Sequence, residues 1–113
     1  MSGDFIIDPP GKQPVKLAWM PSGAHVQWVV EVVAERVADP GLAAELRKFV
    51  VGDYSFFALS MFSAAEAAEI MRVIRESVPG EAERQFPGND VVLERTAELV
   101  ALIERAEAAP DAK

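Results

Sequence analysis

The sequence predicts an α+β fold: a small sheet of about three strands with four main helices packed on it. Three observations carry that expectation. Two short runs rich in β-branched and aromatic residues, Phe5-Ile6-Ile7 and Val15 to Met20, open the chain on either side of a proline-rich loop. A third apolar run, Tyr54 to Phe62, follows a pair of helical segments. Each helical segment also carries a start signal of its own. The predicted order is β-β-α-α-β-α-(short α)-α, with a mostly α fold as the alternative.

Taken in order, Phe5-Ile6-Ile7 between Asp4 and Asp8 suits a brief strand. Pro9-Pro10-Gly11-Lys12-Gln13-Pro14 cannot extend it, since proline fixes φ and removes a backbone donor. Val15, Leu17 and Trp19 would share one face of the second strand, and the two strands would pair as a hairpin.

Residues 24–39 read two ways. Val26, Trp28, Val30 and Val32 alternate like a strand, whereas Val26, Val29, Val30, Val33 and Val37 repeat at helical spacing. Length, and Ser22 as a plausible N-cap, favour helix. Asp39-Pro40 starts the next helix, Pro40 to Val50, which Gly52 ends.

Tyr54 to Met61 alternates apolar side chains on both faces, which predicts a strand covered on both sides. Ser63 and Glu66 then form an S-x-x-E capping box, opening a helix with Ala67, Ile70, Met71, Ile74 and Val78 as its buried stripe. Val78-Pro79-Gly80 predicts its stop. Glu81 to Gln85 would add a short turn of helix, and Asn89 or Asp90 would cap a last helix running to about Ala108. The expected domain is residues 1–108, with 109–113 a disordered tail.

Composition narrows the function. With 11 basic and 18 acidic residues the formal charge is −7, which repels phosphate backbones and argues against a nucleic-acid partner. Without cysteine there is no disulfide framework and no thiolate nucleophile or metal site. No apolar run approaches the ~20 residues of a membrane span, and no signal peptide is evident, so the expected location is the cytoplasm and no membrane partner is expected. Arginine outnumbers lysine, and alanine and valine are abundant, which fits a bacterial, GC-rich source.

Catalytic signatures are sparse. His25 is the one histidine, too few for a multi-histidine metal site. The serines lie in neither G-x-S-x-G nor S-x-x-K, and Gly11-Lys12 lacks the rest of a phosphate loop. Glu31/Glu35 and Glu94/Glu98 are spaced to share a metal or a proton, but they fall on predicted wet faces. No catalytic residue, metal or cofactor is therefore assigned.

The candidate binding residues are Trp19, His25, Trp28, Asp53 and Tyr54, large or polar side chains near two turns that the fold could bring together. The leading expectation is a small acidic, non-enzymatic protein-interaction domain for a basic partner, such as an immunity-type neutraliser or accessory protein. The alternatives are a small-molecule-binding domain or minor enzyme with an aromatic cleft near Trp19, His25 and Tyr54, and a homo-oligomeric module, with a homodimer as its simplest form.

Overall fold

Pairing around the first strand builds the sheet. In the computed structural model, which describes residues 3–52, 54 and 56–111, β1 (Asp4–Ile7) lies between β2 (Leu17–Trp19) and β3 (Phe56–Ala58). β1 and β2 form the expected antiparallel pair, with Phe5 opposite Trp19 and Ile7 opposite Leu17. β3 runs parallel to β1, with Phe57 opposite Phe5, so the sheet is mixed. The four helices are α1 (Gly23–Arg36), α2 (Pro40–Val51), α3 (Ala64–Gln85) and α4 (Asp90–Glu107).

The ambiguous valine segment is helical. β-branched residues cost a helix up to about 0.7 kcal/mol each. Burying a valine returns roughly 1.5 kcal/mol or more, and Val26, Val29, Val30, Val32 and Val33 are all buried. Packing therefore outweighs propensity. Ser22 caps the helix as expected, its hydroxyl accepting the His25 N–H at 3.2 Å. α1 packs against both α2 and α3, which explains burial on more than one of its sides.

The third strand differs from expectation. Among the described residues of that run the strand covers Phe56–Ala58, and a 3₁₀ turn (Leu59–Met61) leads into α3. Phe57, Ala58 and Leu59 are buried, while Tyr54, Phe56 and Met61 are exposed. The 3₁₀ turn after Ala58 ends the two-residue alternation, so Met61 leaves the face the strand pattern assigned to it and stands exposed.

The predicted stop at Pro79 is also corrected. α3 continues through Pro79 to Gln85 and absorbs the expected short helix. The proline removes the donor that would meet the Arg75 carbonyl, at about 3 kcal/mol in an ordinary helix interior. Val78 and Ala82, both fully buried, hold the backbone on either side. Glu81 adds ion pairs to Arg84 and, across to α1, to Arg36, at 2.6 Å each.

The other caps form as read: Asp39 for α2, the Ser63–Glu66 capping box for α3 and Asn89 for α4. The end of α4 is tied to the proline-rich loop, with Lys12 Nζ donating to the Glu107 carbonyl and pairing with Asp111 at 3.1 Å. The Gln13 N–H donates to the Pro110 carbonyl at 2.8 Å, so the chain is paired beyond the helix end. One cluster of buried side chains from every helix and all three strands forms the core.

Candidate functional site

A cleft opens where the starts of two helices meet. Pro21 ends the stretch after β2, and its carbonyl accepts the Gly3 N–H at 2.7 Å. Gly3 has no room for a side chain: a Cβ would fall 2.7 Å from the Gly23 Cα and 2.9 Å from Val26. This close approach seats the first turn of α1 against the start of β1. Across from it, α3 ends at Phe86, and a turn through Gly88, at φ +74°, brings in Asn89 and the first turns of α4.

Between these segments lies a cavity of about 540 Å³. Ala24, His25 and Trp28 of α1 form one wall, and Phe86 with Val91, Val92 and Arg95 of α4 form the other. Met20 and Val91, about two-thirds exposed at 65% and 67%, stand among the lining residues. That volume lies within the usual range of small-molecule sites, and the mixture of apolar wall and few polar groups is also typical of them.

His25 sits between two indoles. Its ring meets Trp19 edge-on at a centroid separation of 5.0 Å and tilts against Trp28 at 5.8 Å. Its Nε2 is buried and has no hydrogen-bond partner among the described residues. Burial, and secondarily the positive charge of Arg95, lower its pKa below the ordinary 6.5, so the neutral imidazole is favoured at pH 7.

Trp28 is held at both ends. Its ring packs edge-on against Phe86 at 5.4 Å, and its indole N–H donates to Gln85 Oε1 at 3.0 Å. Gln85 in turn donates to Glu81 at 2.8 Å. Glu81 also accepts from Arg84 and Arg36, and these hydrogen bonds and charges bring its pKa down to about 2. A permanently ionised carboxylate thus orients the amide that orients the indole.

The five candidates separate on inspection. His25 and Trp28 line the cleft. Trp19 is only 3% exposed and lies behind His25, its indole N–H donating to the Arg95 carbonyl at 3.0 Å. It braces β2 against α4. Tyr54 is exposed and borders a different hollow, with Ala44, Arg47, Lys48 and Val51 of α2. Its carbonyl accepts from Gln27 of α1, but its ring packs on Phe49. Asp53 lies outside the described residues. A line of ring contacts nevertheless joins the four aromatic candidates, running Phe86, Trp28, His25, Trp19, Phe5, Phe57, Phe49, Tyr54.

Phe86, Val91, Val92 and Arg95 were not among the candidates. The sequence carried no signal for them, since a single exposed valine such as Val91 is ordinary on a helix surface. The carboxylate pairs behave as solvated groups, with Glu31, Glu35, Glu94 and Glu98 all exposed. Among the described residues, no three metal-ligating side chains are grouped to hold an ion. No described helix is long and apolar enough to cross a membrane. Comparison with protein families, with curated proteins and with solved structures finds no match for this chain.

The Ser22 hydroxyl accepts the His25 N–H in its cap, and among the described residues no carboxylate lines the cavity.

Proposed function

We propose that this protein is a binding domain that takes a small apolar or aromatic ligand in the cleft between the first turns of α1 and α4. The observation that carries this reading is the cavity itself: about 540 Å³, walled by Trp28, Phe86, Val91 and Val92, with His25 and Arg95 as its ionisable side chains. The contacts of the Trp28 ring with Phe86 and of its N–H with Gln85 support it, because a wall already positioned loses less freedom when a ligand arrives.

The test is a titration of the protein with 3-phenylpropanol, followed by proton–nitrogen correlation NMR. The Trp28 indole N–H and the amides of Ala24, His25, Val91 and Val92 are expected to shift together and saturate. Ala24→Phe, which fills the cleft from an exposed position, should abolish the shifts. Shifts spread over the whole surface, or none, would overturn the reading.

A protein-interaction role for a basic partner is the second reading. It is supported by the net charge of −7 and by the exposed apolar side chains Val51, Tyr54 and Phe56. The same side chains would serve self-association. Both uses would leave the cleft resonances unmoved by partner or second copy, while shifting those of residues 51–56.

A further inference from the structure

Resting on the binding reading above, we infer that the occupant is a small aromatic carboxylate, its ring against Trp28 and Phe86 and its carboxylate at the Arg95 guanidinium between two helix N-termini. Two observations on charge converge here.

Among the described residues, Arg95 is the one charged side chain lining the cavity, with no carboxylate beside it there. Its ion pair is with Glu98, one turn along the same helix, at 3.1 Å. Both side chains are half exposed, at 51% and 49%, so that pair is weak and readily exchanged for a ligand. A guanidinium also presents paired donors that match a carboxylate in its own plane.

The cavity is lined by residues from the first turns of both α1 and α4. Each helix start carries roughly half a positive charge. α1 has no acidic residue in its first turn, so nothing on that turn offsets its positive end. α4 does carry Asp90 there, an exposed side chain that does not line the cavity.

The overall charge of −7 works in the other direction, repelling anions at long range. At physiological ionic strength that repulsion is screened beyond about 8 Å, whereas Arg95 and the helix starts act at contact. The local field decides the preference.

The experiment compares 3-phenylpropionate with 3-phenylpropanol, which share a ring and chain, by calorimetry on the intact protein. The carboxylate is expected to bind about tenfold more tightly, equivalent to ~1.4 kcal/mol. The advantage should shrink in about 0.5 M sodium chloride. In Arg95→Gln the ratio of the two affinities should fall within about twofold, whatever the shared change in both from the altered wall. The Trp19 contact uses the backbone carbonyl of residue 95 and survives that change, and an unchanged melting temperature would confirm it. Equal affinities in the unaltered protein would overturn the carboxylate preference and leave the cleft standing. A preference that persists in Arg95→Gln would overturn the role of Arg95. Failure of both compounds to bind would remove the binding reading itself.

Discussion

His25 shows how one side chain joins packing to protonation. Its pKa is lowered by burial and by Arg95, so the unfolded chain takes up the proton more readily than the native one. The His25 contribution to stability is therefore complete above about pH 6.5 and is lost as pH falls toward the lowered native value. Urea midpoints measured between about pH 7.5 and 5.5, above most carboxylate titration, should decline with acid. His25→Phe should flatten that decline, and at pH 7.5 it should be near neutral, because it replaces an unpartnered buried polar atom with apolar ring. An unchanged slope in the variant would show that another group titrates. The sequence located this residue but not its setting. A histidine in the first turn of a helix is ordinarily wet, and only the placement of Trp19 and Trp28 on either side makes it otherwise.

At the scale of elements, local signals were readable wherever a motif closes on itself. The Ser63–Glu66 box is complete within four residues and forms as read, with hydrogen bonds of 3.1 and 3.0 Å. Ser63→Ala should cost about 1 kcal/mol without altering ligand affinity. Signals that depend on a distant partner were not readable. Pro79-Gly80 spells a helix end, yet Val78, Ala82 and Glu81 find partners on other elements and carry α3 past it. The length of α3 follows from those contacts, and it is what delivers Gln85 to Trp28. Gly80 is helical, with nothing within 4 Å of where a Cβ would stand. Gly80→Ala should then raise stability by about 0.5–1 kcal/mol, seen as a higher urea midpoint at unchanged slope. A fall in stability would mean that the proline-glycine step needs glycine's freedom after all.

For the molecule as a whole, the cleft is a product of packing between segments far apart in sequence. Its walls come from residues 20–28, from Phe86 and from residues 91–95, and a sequence read in order has no way to set them side by side. Two indole hydrogen bonds span the separations, Trp28 to Gln85 across 57 residues and Trp19 to Arg95 across 76. The second is the more consequential, because Trp19 belongs to the core shared by the sheet and the helices, while Arg95 belongs to the cleft. As an aromatic residue beside a turn, Trp19 reads from the sequence as a ligand or partner contact. Burial makes it the brace instead. Trp19→Phe keeps an aromatic ring against Phe5 and His25 but removes the N–H that meets the Arg95 carbonyl. Lost volume and the lost hydrogen bond together should cost about 1–3 kcal/mol. If the brace positions the cleft, amide exchange at Val91 and Val92 should speed up in the variant and 3-phenylpropanol should bind more weakly, even where the fold is fully populated. If stability falls while those amides and that affinity stay as they were, Trp19 serves the core alone, and the α4 wall must be held by its packing on α3.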